Sequence, residues 1–155
     1  MKSLIVKDVY QLHGTASIAI SKEELLSEVI SRYAYEPGLR GIFLVDSEHR
    51  FAGVITRIAI MKWAQYMLVG GTKREISVRE VLDAITSTKA KNLARGDYKS
   101  LGVREDDTLQ TAMDQMVNSG EDVLPVLDKD GRILGDIRLS EILLKAFEVG
   151  RITPK

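Results

Sequence analysis

Apolar positions along this chain keep two rhythms, and the order in which those rhythms alternate occurs twice. Leu25, Leu26, Val29, Ile30 and Tyr33 fall at helical spacing on one face. Leu109, Ala112, Met113, Met116 and Val117 carry a matching stripe, with Leu26 and Leu109 standing 83 residues apart. A short apolar run of strand length precedes each stripe, Ile18-Ala19-Ile20 and Leu101-Gly102-Val103. Paired strands follow each, near 42–46 and 51–56 in the first half, and from Leu124-Pro125-Val126-Leu127 into Ile133-Leu134-Gly135 in the second. The Asp130-Gly131 pair predicts a two-residue hairpin turn, because Gly adopts positive φ without a side-chain clash. Asp46 and Asp128 are 82 residues apart, as are Gly53 and Gly135, so His49 occupies the turn position of Gly131. Helices from about Arg57 to Leu68 and from about Ser140 to Val149 close the two repeats. The expected class is α/β (α+β), built from two β-α-β-β-α units at residues 1–72 and 73–155.

Ser21 with Glu24, and Asp107 with Gln110, have the spacing of capping boxes that start helices. Pro37-Gly38, Gly70-Gly71 and Ser119-Gly120 are stop signals. The opening run Leu4-Ile5-Val6-Lys7-Asp8-Val9 finds its echo in Ile76-Ser77-Val78-Arg79-Glu80-Val81, where basic, acidic and Val residues recur in order. Residues 86–99 read as a longer connection carrying Lys89, Lys91, Arg95 and Lys99 against Asp97 alone. That segment is either a solvated loop or a phosphate-facing one. The tail from Gly150 to Lys155 reads as a frayed end.

Both closing helices are apolar on two sides. Ile58, Met61 and Leu68 share one face, Ile60, Trp63 and Met67 another, and Ile142, Leu143, Leu144, Ala146, Phe147 and Val149 repeat the property. One face can pack on its own sheet; the other needs a sister unit or a second chain. The expected assembly is a homodimer through the helices near 57–68 and 140–149.

Composition narrows the function classes. In 155 residues, 22 Lys and Arg balance 22 Asp and Glu, so no global charge draws the chain to nucleic acid or to an anionic membrane. Zero Cys excludes disulfides and thiolate metal sites and is compatible with a reducing cytoplasm, the expected location. The opening residues break their apolar run too early for a signal peptide, and no window approaches the ~18 apolar residues of a membrane span. His13 and His49 are the only histidines, and both read as loop or turn residues. HExxH, GxSxG, GxxxxGK[ST] and GxGxxG are all missing. No base–nucleophile pair can be named, so an enzyme is not expected, and no catalytic residue or metal ligand is assigned. Asp106-Asp107 sits at a helix start, and Asp128 with Asp130 flanks a turn; capping and turn chemistry account for them.

What remains is the segment after each hairpin glycine, Gly53-Val54-Ile55-Thr56-Arg57-Ile58-Ala59 and Gly135-Asp136-Ile137-Arg138-Leu139-Ser140-Glu141. A strand ends and a helix begins there, presenting free N–H groups to an anion. Simple capping explains the same residues equally well.

The duplicated unit, with its strand-Asp-turn-Gly hairpin and Gly-h-h-Thr-like junction, resembles a tandem pair of CBS domains from Leu4 to about Val149. The resemblance implies pseudo-twofold units, usually dimerised into a flat disc, and a regulatory role. It also implies a cleft between the units for an adenosine-containing ligand such as AMP, ADP, ATP or S-adenosylmethionine. Carried over by position, Thr56 matches the family hydroxyl, Arg57 follows it, and Ala59 stands where a ribose-binding Asp is expected. In the second unit Glu141 stands at the acidic position and Arg138 replaces the hydroxyl. Leu101, Leu124 and Pro125 are the expected adenine contacts. The leading expectation is a nucleotide-responsive regulator of a protein partner. The alternative is a dimeric interaction scaffold whose clefts have lost their ligand. A nucleic-acid role would rest only on residues 89–99.

Overall fold

Two three-stranded sheets carry the fold, as the repeat demands. The first consists of β1 (Ser17–Ser21), β2 (Gly41–Val45) and β3 (Phe51–Ile55), the second of β4 (Val103–Arg104), β5 (Val123–Leu127) and β6 (Ile133–Arg138). The helices are α1 (Leu26–Tyr35), α2 (Arg57–Gln65), α3 (Val78–Ser87), α4 (Leu109–Ser119) and α5 (Leu139–Ile152). A π-helical turn, Tyr66–Gly70, follows α2. The computed structural model describes residues 3–10, 17–36, 38–39, 41–70, 77–94 and 101–152. His13, Pro37, Gly71, Ile76, Arg95, Asp97, Lys99 and the last three residues lie outside the described residues.

The chain divides into two compact units, Ile18–Tyr98 and a discontinuous one made of Met1–Ser17 with Lys99–Lys155. The opening segment therefore belongs with the second sheet. Its 3-10 turn, Val6–Asp8, is held there by Val6 N–H to Asp107 O (2.8 Å) and Lys7 N–H to Glu105 O (2.9 Å). In the contiguous unit a second 3-10 turn, Ala90–Leu93, takes the matching place through Ala90 N–H to Glu24 O (2.7 Å) and Lys91 N–H to Lys22 O (3.1 Å). The isolated bridges Ile5 to Thr108 and Leu25 to Lys89 complete the equivalence.

The echo of the opening run is thus Thr88–Leu93, and the expectation of Ile76–Val81 is corrected. Val78–Val81 instead opens α3, which Ser77 caps by accepting the Glu80 N–H at 3.2 Å. This helix has no counterpart among the described residues of the other repeat. Residues 86–94 are likewise no loose connection: backbone bonds fix them against the start of α1.

Both expected capping boxes are displaced. Ser21 ends β1 and accepts the Glu23 N–H (3.2 Å), while α1 begins at Leu26 with no side-chain cap. Thr108, one residue beyond Asp107, is the N-cap of α4 and accepts the Thr111 N–H at 3.1 Å. Asp107 turns back to accept the Arg104 N–H at 2.8 Å. In both cases a short side chain is recruited by the strand-to-helix turn before the helix begins. Gly120, at φ 74°, ends α4 as expected.

The hairpin turns span Asp46–Arg50 and Asp128–Arg132 rather than two residues. Asp46 Oδ1 accepts the N–H of Glu48 and Arg50, both at 2.9 Å. Asp128 Oδ1 does the same for Asp130 (2.8 Å) and Arg132 (2.9 Å). Each Asp gathers the amides that a tighter turn would have paired. His49 and Gly131 both adopt positive φ, 62° and 84°.

The core of the contiguous unit gathers Ile20, Leu26, Val29, Ile42, Leu44, Ile55 and Ala90, flanked by Ile60, Trp63 and Ile85. Each fully buried aliphatic side chain there contributes roughly 1.5–3 kcal/mol. The discontinuous unit buries Val6, Val103, Ala112, Leu124, Val126 and Ile137. The two faces of α2 separate as the sequence pattern indicates: Ile60 and Trp63 pack inward, whereas Ile58 (59%), Met61 (57%) and, beyond the helix, Leu68 (68%) remain exposed. On α5, Ile142 is buried while Leu143 and Phe147 are exposed.

Candidate functional site

Each unit places a strand end directly before a helix start. In the contiguous unit β3 runs into Thr56, whose extended backbone (φ −90°, ψ 158°) makes it the N-cap of α2. Thr56 Oγ1 accepts the Ala59 N–H at 3.0 Å, satisfying one of the free amides of the first turn. Arg57 is exposed and lines a narrow groove with Tyr33, Leu39, Gly41, Ile42, Ile55 and Ile60.

In the discontinuous unit β6 runs through Asp136 and Ile137 to Arg138, and α5 follows at once. Glu141, in the first turn, reaches back: its Oε1 accepts the Arg138 N–H at 3.1 Å and the Arg138 Nε–H at 3.2 Å. The pair is enclosed, with side-chain exposures of 17% for Arg138 and 1% for Glu141. Glu141 Oε2 is buried and has no hydrogen-bond partner among the described residues. The Leu139 N–H donates to Asp122 O (2.9 Å), which fixes the start of α5 against the segment that enters β5.

The apolar residues named from the sequence sit at this end of the second sheet or close to it. Leu124 pairs with Ile137, and Pro125 with Asp136, across the β5–β6 ladder. Leu124 is fully buried, Leu101 nearly so (6%), and Pro125 is buried too. Leu101 stands two residues before β4, and the neighbouring Gly102 is gripped by Gln115, which accepts its N–H (3.0 Å) and donates to its carbonyl (2.7 Å).

Sequence reasoning missed Asp136, a fully buried carboxylate opposite Pro125. Strand alternation hides it: buried neighbours at Gly135 and Ile137 would put residue 136 on the opposite face, and it is nonetheless buried. Among the described residues no cluster of three or more His, Asp or Glu side chains could hold a metal ion. No helix among them is long and apolar enough to cross a membrane.

Comparison with known proteins bears on the fold. The CBS domain family matches residues 6–66 and 97–148. A CBS domain-containing protein from Thermotoga maritima superposes with a TM-score of 0.74 at 20% identity, covering 96% of this chain and 97% of its own. CBSX2, solved in complex with AMP, gives 0.69 at 14% identity over 94% of this chain and 98% of its own. The CBS domain pair of protein MJ0100, solved with 5′-methylthioadenosine and S-adenosyl-L-methionine, gives 0.61 at 16% identity over 95% and 98%. Two matched segments, two equivalent sheets and neighbours that cover nearly the whole chain lead to one statement: the chain is a tandem pair of CBS domains and belongs to that regulatory family.

Proposed function

We propose that this protein senses an adenosine-containing ligand, AMP, ADP, ATP or S-adenosylmethionine, and passes its occupancy to a partner protein. The observation that carries the reading is Glu141. A buried carboxylate oxygen without a donor costs free energy, and a ligand hydroxyl that reached Oε2 would remove that cost. Arg138 stands beside it for phosphate, Leu101, Leu124 and Pro125 for the adenine, and Thr56 with Arg57 for the corresponding role in the other unit. The complexes of CBSX2 with AMP and of the MJ0100 pair with 5′-methylthioadenosine and S-adenosyl-L-methionine support the ligand class. Calorimetric titration with the four ligands tests it. At least one is expected to bind, and Glu141→Ala is expected to weaken binding about tenfold or more, the loss of a hydrogen bond to a charged group. No binding by any of the four below about millimolar overturns the reading.

A second reading, a dimeric scaffold without a ligand, is favoured by Ala59 at the acidic position of the first junction and by the uncovered faces of α2 and α5. We infer a homodimer under either reading, through Ile58, Met61 and Leu68 together with Leu143 and Phe147. Sedimentation of Met61→Glu and Phe147→Glu variants checks it: they are expected to run as monomers where the parent runs as a dimer.

A further inference from the structure

The two oxygens of Glu141 are used unequally. Each oxygen of a carboxylate has two lone-pair sites, and both of those on Oε1 go to a single residue: the Arg138 N–H at 3.1 Å and the Arg138 Nε–H at 3.2 Å. Oε2, on the same carboxylate, is buried and accepts nothing among the described residues. Arg138 and Glu141, three residues apart at the step from β6 into α5, thus form an enclosed ion pair that leaves one oxygen idle. The corresponding step of the contiguous unit has Thr56 and Ala59, which cannot form such a pair.

The two neighbouring hydroxyls of a ribose are held best by two carboxylate oxygens, one each. At Glu141 that grip requires the Arg138 Nε–H to leave Oε1. Parting an enclosed guanidinium from its carboxylate leaves a poorly solvated charge uncompensated, which is costly. A ligand that brings its own anion offsets that cost. The 5′ substituent hangs from the same sugar as the two hydroxyls, so a phosphate there can take the guanidinium as the hydroxyls take the carboxylate. Guanidinium meets phosphate through two parallel N–H donors, a match that a threonine hydroxyl at this position would not offer. A 5′ hydroxyl brings no charge to the exchange, and a sulfonium brings the wrong sign.

We infer that Arg138 selects the ligand by its charge: it locks Glu141 until a 5′-phosphate takes the place of the carboxylate, so the site accepts a nucleoside phosphate and discriminates against the nucleoside and the sulfonium. The inference rests on the adenosine reading and narrows it.

Adenosine, AMP and S-adenosylmethionine share the ribose and differ at its 5′ carbon, and calorimetric titration of each into the full chain isolates that difference. The parent is expected to bind AMP about tenfold or more tightly than either of the others. Arg138→Gln keeps a hydrogen-bond donor beside Glu141 without the charge, and Arg138→Thr installs the hydroxyl of the sister junction. Both variants are expected to bind adenosine more tightly than the parent does and to lose most of the preference for AMP. In the parent itself, the NMR signal of the Arg138 Nε–H is expected to shift as AMP is added, a readout that needs no variant. Equal affinity of the parent for AMP and adenosine overturns the inference while the adenosine reading stands. So does a preference for AMP that survives both substitutions, or an Nε–H signal that saturating AMP leaves in place. Failure of AMP, ADP, ATP and S-adenosylmethionine to bind at all overturns the adenosine reading and this inference with it.

Discussion

Thr56 and Glu141 perform complementary halves of one capping arrangement, each in a different unit. Thr56 reaches forward from the N-cap to the Ala59 N–H, and Glu141 reaches back from the third helical position to the Arg138 N–H. A complete capping box has both contacts at one helix start. Ala59 and Arg138, the positions where the resemblance implies an acidic residue and a hydroxyl, are the two missing members of the boxes.

Completing a box is therefore expected to stabilise. Thr56→Ala should cost about 1 kcal/mol in urea unfolding. Ala59→Glu should add a few tenths of a kcal/mol, roughly the size of an acidic residue at a helix N-terminus. An unchanged midpoint for Thr56→Ala would show that the 3.0 Å contact contributes nothing.

Gly102 is expected to be intolerant. At φ 117°, a Cβ there would lie 2.8 Å from Leu127 Cδ1, so strain and crowding act together. Gly102→Ala should cost about 1–3 kcal/mol, whereas Gly38→Ala, which meets nothing within 4 Å, should be near neutral. Thermal melts of the two variants side by side decide this.

The hairpin turns offer a reciprocal pair. His49 holds φ 62° where its counterpart is Gly131 at 84°. His49→Gly removes left-handed strain but adds freedom to the unfolded chain, so the net gain should stay below about 1 kcal/mol. Gly131→Ala should lose about 1 kcal/mol. Equal midpoints for both variants would contradict the strain account.

Acid stability should depend on the same turns. The amide of Arg50, its largest favourable contact, holds the Asp46 carboxyl below its ordinary pKa, and the amide of Arg132 does so for Asp128. A depressed folded pKa gives stability that is present above the unfolded value of about 4 and lost as pH falls through the folded one. The difference in stability between the parent and an Asp46→Asn/Asp128→Asn variant should thus shrink below about pH 4. Tyr10 has the opposite sign: burial, and then the Glu105 contact, raise it to about 12. Its contribution is complete below the unfolded value of about 10 and fades as pH rises towards 12. Tyr10→Phe should remove that alkaline loss.

The periodic parts of the fold were legible in the sequence because burial imposes its period on the residues. Leu26, Val29, Ala112 and Met116 are buried along the two predicted stripes, and both hairpins lie where Asp46 and Asp128 place them. Helix starts were less so. Ser21 and Asp107 have capping chemistry, but turn amides claimed them first, and spacing alone does not rank those competitors. Helix α3 is not legible in the sequence because the charge order of Val78–Val81 imitates the opening run, while the true match, Thr88–Leu93, shares hydrogen bonds rather than residue order. At the junctions, spacing located Arg138 and Glu141; that one residue occupies the other is a property of side-chain reach, which a linear reading does not contain.

The discontinuity of the second unit bears on synthesis. The three strands of the first sheet, apart from Ser17 at the start of β1, and the 3-10 turn that seals it lie within Ile18–Tyr98, so this unit can close while the chain is still being made. The other must hold Ile5 to Tyr10 in waiting until Val103 and Asp107 emerge nearly a hundred residues later. Val6, Val9 and Tyr10, all buried in the folded unit, have no sheet of their own unit to pack on until then. The order of folding is therefore written into the chain's connectivity: the unit that begins first is completed last.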